Sequence, residues 1–238
     1  MLCVGLSLIM AVLVVQLDSG WMAALDTSVD RWVAPYRSVQ PLVLSGHVYR
    51  VLGQPVYFAA AVALGAVIIS VRRRSLVPAS VLVATVGLGV VLENSLKSAI
   101  SRSATAVAGL QGGSPTQPKR PPGVPLYFLQ SFPSGHVTAT VVLFGLVAVC
   151  LGAGRDRAAK AKLWSSAAGG VGVIAILAVY TRAHTITDVI GGAVLGAIFV
   201  TVGAAVLIRL MPVDRPVPVS SHRPLRTSQA AELARTTS

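Results

Sequence analysis

The chain has 238 residues, 54% of them hydrophobic and only 12% charged, against about a quarter charged in a water-soluble domain. The apolar residues fall in long runs, which exclude an ordinary soluble fold. The net charge of +12 does not indicate a nucleic-acid partner, because the basic residues sit in short segments between those runs, as membrane topology requires.

Six apolar segments follow one another along the chain. The first, from about Leu2 to Leu17, has no basic start and no small-residue cleavage site after Val15, so it reads as an uncleaved span and not a signal peptide. The stretch LDTSVDRWVAPYRSVQPLVLSGHVYRVLG is expected to form an amphipathic external segment lying along the surface, with Trp21, Trp32, Tyr36 and Tyr49 in an interfacial aromatic belt. The second segment, about Gly53 to Val71, ends at Arg72, Arg73 and Arg74. The third runs from near Leu76 to about Ile100, and a Gly-, Pro- and Ser-rich loop covers about 101–135. The fourth is His136 to about Leu151, followed by GRDRAAKAK. The fifth runs from about Trp164 to Tyr180 and the sixth from about Ile186 to Leu210. Each approaches the ~20 residues that cross a bilayer, and irregular backbone cannot face lipid, so all six are expected to be helices. The stretches GGVGV and GGAVLGA suit close helix packing. The domain reading is thus an all-α, six-helix integral membrane unit over 1–210 and a basic cytoplasmic tail, 211–238, expected to be disordered. Cys3 and Cys150 lie inside apolar runs and read as small hydrophobes, with no disulfide or metal spacing.

The basic clusters at 72–74, 155–162 and 209–235 fall on one side if the spans alternate. That side is cytoplasmic by the positive-inside rule, which places both chain ends inside. Lys97, His136, Arg182, His184 and Asp188 then gather at the outer face. Ionisable groups at span ends are costly in lipid and mark function. One carboxylate and no paired-histidine spacing make a poor metal site. Cations, free N–H groups and two histidines suit a phosphate instead. In SFPSGHVTAT, residues 131–140, a turn opens a helix and aims N–H groups and a positive dipole end at an anion. The plainer alternative is a turn with Ser134 as its cap. His184 and Asp188, four apart, share a helix face, and the carboxylate would fix the imidazole tautomer. Here the plainer alternative is N-terminal cap chemistry in TITD. His47 and His222 have no partners that indicate a role.

A lysine (Lys97) with an Arg-Pro after it, then PSGH, then an arginine ahead of His-x-x-x-Asp resemble, in that order, the three motifs of the type 2 phosphatidic acid phosphatase (PAP2) family, whose members share an active site with vanadium haloperoxidases. PSGH stands intact at 133–136. HTITD, 184–188, matches the family's His-x-x-x-Asp and is followed by Gly191 and Gly192, and LDTSVDRWV with VLGQPV resembles the usual approach to the second span. The likeness covers roughly Leu25 to Leu210. It implies a six-helix membrane core and a metal-independent, cofactor-free lipid phosphate phosphatase. In that scheme His184 attacks phosphorus to form a phosphohistidine, Asp188 orients it, and His136 protonates the leaving oxygen. Lys97, Ser134, the Gly135 N–H and Arg182 bind the phosphate oxygens. Substrates would be phosphatidic acid, phosphatidylglycerol phosphate or a polyprenyl diphosphate, the last favoured by an Arg-, Ala-, Val- and Gly-rich composition of GC-rich bacterial type. The expected partners are the lipid substrate and membrane lipids, with no nucleic acid.

Two departures from the family pattern stand out. The family's lysine is followed seven residues later by Arg-Pro, where this chain has Ala104. Reading 101–119 as an insertion makes Arg120 the favoured ligand and Arg102 the second. The family's arginine six residues before the histidine is here two before it, at Arg182, as though the outer turn were shortened. The alternative reading is therefore a weak or inactive PAP2-like phospholipid-binding membrane protein.

Overall fold

A computed structural model describes residues 1–38, 48–49, 51, 54–100 and 131–211. Residues 101–130 and 212–238, with Arg102, Arg120, His47 and His222, lie outside the described residues, as do the expected external loop and disordered tail. The helices are α1 (Leu2–Val15), α2 (Gly20–Val33), α3 (Pro55–Arg73), α4 (Val77–Ala99), α5 (Gly135–Gly152), α6 (Arg157–Tyr180) and α7 (Ile186–Leu210), with a 3-10 turn, Ala34–Ser38, after α2. Helices are thus found at all six expected segments, within a few residues. The largest shift is at α6, which starts at Arg157 because the Asp156 carboxylate caps it, accepting the Ala159 N–H at 2.7 Å.

Five helices, α3 to α7, are long and apolar enough to cross a bilayer, and α1 with the helix after it makes a sixth only if that pair counts as one span bent by 89°. Alone, α1 has 14 residues and extends about 21 Å, short of the ~30 Å hydrocarbon layer. Past the bend, α2 and the 3-10 turn lie over the ends of α6 and α7. The chain is an all-helical, multi-pass membrane protein.

At the centre α5 packs on α7, and α7 also touches α1, α2, α4 and α6. Leu82, Val142, Leu143, Leu146, Leu195 and Phe199 fill the space between α4, α5 and α7. By contrast, only the last turn of α6 is buried. Its remaining apolar surface is at no disadvantage in lipid. At the basic end Arg73 donates from Nε to the Cys150 carbonyl at 2.8 Å and from Nη2 to the Ala153 carbonyl at 3.2 Å. A cation thereby satisfies free carbonyls at the C-terminus of α5.

Candidate active site

At the opposite end of the bundle the start of α5 meets the start of α7. Ser134 donates its backbone N–H to the Asp188 carbonyl at 3.0 Å, and the Thr138 hydroxyl, near the Gly192 carbonyl at 3.1 Å, ties the next turn. A Cβ on Gly192 would stand 2.5 Å from the Ser134 carbonyl oxygen, so only glycine permits this approach. The result brings the two imidazoles together: the His136 and His184 ring centroids are 6.2 Å apart with planes at 61°.

Ser134 occupies the N-cap position of α5, but its side chain makes no cap bond and its Oγ is buried without a partner. The plain cap reading of Ser134 therefore fails. For TITD the cap reading holds. The Thr185 hydroxyl accepts the Asp188 N–H at 3.3 Å and Asp188 Oδ2 accepts the Thr185 N–H at 2.9 Å, a reciprocal capping box. The same Oδ2 stands 3.6 Å from His184 Nδ1. That is beyond hydrogen-bond reach. Asp188 has no exposed surface, and His184 Nδ1 is buried without a hydrogen-bond partner.

Lys97 joins the group through Glu93, one helical turn earlier, with which it forms an ion pair. Glu93 is 7% exposed, and a Cβ on Gly135 would lie 2.6 Å from its carboxyl atoms. The carboxylate therefore rests against the first residue of α5. Arg182 is placed differently. It sits in the left-handed region at φ 58° and its guanidinium grips Asp30, Nη2 to Oδ2 at 3.0 Å and Nε to Oδ1 at 3.3 Å. Asp30 also accepts from Arg37 Nη2 at 2.6 Å, and Arg37 Nε donates to the Tyr180 carbonyl at 3.1 Å. Burial pulls the Asp30 carboxyl upward, but the bonds and charges of Arg37 and Arg182 outweigh it and hold the group below its ordinary 3.8. Six residues before His184 stands Ala178, buried in the last turn of α6, its carbonyl accepting the Ala183 and His184 N–H groups at 3.0 and 3.2 Å.

Three residues here escaped the sequence reading, and a fourth, Tyr49, expected in the interfacial aromatic belt, is instead buried. Asp26 is 2% exposed and accepts the Thr187 N–H at 3.0 Å and its hydroxyl at 2.8 Å, bracing the start of α7 from α2. Asp30 and Glu93 hold the two cations. Tyr49 places its ring 5.6 Å from that of His136, and burial pushes its phenol up to about 12. A signal for the first pair existed: two of the chain's eight carboxylates stand four apart on an amphipathic helix, facing one way.

Among the described residues the buried side-chain polar atoms without partners are Arg37 Nη1, Tyr49 OH, Ser134 Oγ and His184 Nδ1. All four belong to this end of the molecule. Unsatisfied buried polar groups are rare in folded proteins, and each calls for an explanation such as a catalytic role, a water or an ion. Among the described residues no three His, Cys, Asp or Glu side chains come together to hold a metal ion.

The family model described as the PAP2 superfamily matches residues 78–211. No curated protein matches the chain. A crystal structure described as the first transmembrane PAP2 type phosphatidylglycerolphosphate phosphatase from Bacillus subtilis is similar, with a TM-score of 0.68 and 18% identity over 90% of this chain and 98% of that one. At that identity the likeness is one of fold.

Proposed function

Because the chain belongs to the PAP2 superfamily, we propose that it is a membrane lipid phosphate phosphatase working through His184 and His136. The carrying observation is the facing imidazoles, 6.2 Å apart, beside the buried, unpartnered Ser134 Oγ at the N-terminus of a long helix, a place suited to an anion.

In this reading His184 Nε2 attacks phosphorus and the P–O bond to the lipid breaks. His136 passes a proton to the leaving oxygen. Water then attacks the phosphohistidine with His136 taking its proton, the N–P bond breaks, and phosphate leaves. Asp188 stabilises positive charge on His184 through Nδ1 while also holding the helix start. Ser134 Oγ and the Gly135 N–H bind phosphate oxygens, with Lys97 and one of Arg120 or Arg102 supplying charge. Arg182 takes part only by leaving Asp30. The spacing near His184 reads best as an alanine at position 178 plus a separate arginine in the turn, not as a shortened connection.

The substrate is a lipid carrying a phosphomonoester or diphosphate, such as phosphatidic acid, phosphatidylglycerol phosphate or a polyprenyl diphosphate, since the site lies at the end of membrane helices. The site faces the extracytoplasmic side and both chain ends face the cytoplasm, because the basic clusters lie at the other end of the bundle. The test is phosphate release by the detergent-purified chain from a panel of these lipids in EDTA. Release is expected from at least one, and loss of it in His184→Ala and in His136→Ala. Absence of release by folded protein favours the second reading, a phospholipid-binding relative with little turnover. One observation supports that second reading: Lys97 and Arg182 are both already paired with carboxylates.

A further inference from the structure

We infer that Glu93 is an internal competitor of the phosphate group, occupying the anion position at the mouth of α5 and holding Lys97 until substrate displaces it. The inference rests on the proposed phosphatase reading and adds a residue that sets substrate and product affinity. Three observations carry it. The Glu93 carboxyl lies against Gly135, so close that a Cβ there would stand 2.6 Å from its atoms. The first turn of α5 has no side-chain cap, so its N–H groups and dipole end are directed to whatever anion stands before them. Lys97 is ion-paired with this carboxylate and with no other carboxylate among the described residues. A carboxylate against the first residue of α5 and ion-paired with a lysine stands where a phosphate at that helix start would need both the space and the cation.

Retreat of the carboxylate into the bundle is unfavourable. Glu93 lines a cleft between α4 and α5 whose other walls are Val86, Gly89, Val90, Ala139 and Val142, with Thr138 the exception. Moving an ionised carboxylate from Lys97 into that apolar lining is unfavourable. A phosphate arriving at Gly135 therefore meets both a like charge and a lysine already engaged. Its affinity is lowered by the interaction that Glu93 gives up. A dianionic or diphosphate group, carrying more charge, displaces the carboxylate better than a singly charged one.

This reading and a merely structural one predict opposite signs. If Glu93 only props Lys97 in place, removing its charge weakens phosphate binding. If it competes, Glu93→Gln, which keeps the size and shape of the side chain, strengthens it. The experiment titrates inorganic phosphate onto the detergent-purified full chain and reads the thermal midpoint, alongside KM and kcat on the best lipid phosphate. Expected for Glu93→Gln is a phosphate dissociation constant about tenfold lower, the scale of one charge-assisted contact, with KM falling by a similar factor and kcat not rising. Glu93→Ala serves if the glutamine variant does not fold. In the double variant Glu93→Gln/Lys97→Ala the gain should vanish. An unchanged or raised dissociation constant, a gain that survives loss of Lys97, or no phosphate binding by any of these proteins overturns the inference. Turnover is not needed for the phosphate titration. If the wild-type chain hydrolyses no lipid phosphate, the catalytic reading falls while the ranking of phosphate affinities still decides the role of Glu93.

Discussion

Asp188→Asn keeps a side-chain oxygen to accept the Thr185 N–H and removes the negative charge 3.6 Å from His184 Nδ1. The two jobs of this residue can thus be separated. The α7 start should survive, with stability within about 1 kcal/mol of wild type, while kcat falls about 10²- to 10⁴-fold because the nucleophile loses its charge partner. Asp188→Ala loses the cap as well, so its thermal midpoint should drop below that of the asparagine variant at similar residual activity. Equal midpoints for the two would mean that the capping box contributes nothing. Much of this site could be read in sequence, because PSGH and HTITD stand at helix starts where local rules apply. The cap in TITD uses Asp188 Oδ2, the same oxygen that stands 3.6 Å from His184 Nδ1. What could not be read were partners. Arg182 looks free for a phosphate until Asp30, 152 residues away, is brought beside it, and Glu93 beside Lys97 looks like an ordinary i,i+4 surface pair until α5 closes over it.

Between elements, the approach of α7 to α5 is controlled by backbone and not by side-chain tips. Gly192→Ala would press its methyl carbon on the Ser134 carbonyl at 2.5 Å and on Val137 at 3.2 Å. A carbonyl in a helix start cannot swing aside, so a loss of about 1–3 kcal/mol is expected, together with activity, since Ser134 and the His136 turn move with it. Gly169→Ala on α6 meets nothing within 4 Å and should raise helix stability by about 0.5–1 kcal/mol with activity unchanged. Paired thermal melts and phosphate-release assays of the two variants check this. The link from α2 to the α6–α7 turn is electrostatic and so depends on pH. Asp30 has its carboxyl held below its ordinary 3.8, so its contribution is present above that value and is lost as pH falls through the depressed one. Wild type should melt above Asp30→Asn near pH 6, and the gap should close as the pH falls below about 3.8. A gap that stays constant with pH would show the arginine pairs to be energetically idle. The α2 arrangement was only half legible: its amphipathic pattern marks a surface helix, but the two carboxylates that dock it on α7 and on the turn reveal themselves only by what they touch.

On the scale of the whole molecule, two facts of different kind point to a site at the outer face. Alternation of spans puts Lys97, His136 and His184 at one end of the bundle, and the contacts among Lys97, Glu93, Gly135 and the two histidine rings agree with that placement. The clusters Arg72 to Arg74 and Arg155 to Lys162 lie at the other end, where Arg73 closes α5. Basic residues favour the cytoplasmic side because they resist translocation, so the end without those clusters is expected to face out. In a chain with Cys3 and Cys150 replaced by alanine, Ser98→Cys near Lys97 and Ala158→Cys on the basic connection, both exposed, report the two ends. A membrane-impermeant maleimide added to intact cells should label the cysteine at 98 and reach the one at 158 only after permeabilisation. The reverse pattern would turn the molecule over and put the phosphatase site against the cytoplasmic pool of lipid phosphates. Labelling of both in intact cells would mean mixed insertion, in which the charge difference between the two ends fails to decide orientation. The first pattern commits the enzyme to lipids exposed at the outer leaflet, because a phosphorylated headgroup crosses the hydrocarbon layer too slowly to be supplied from inside by diffusion alone.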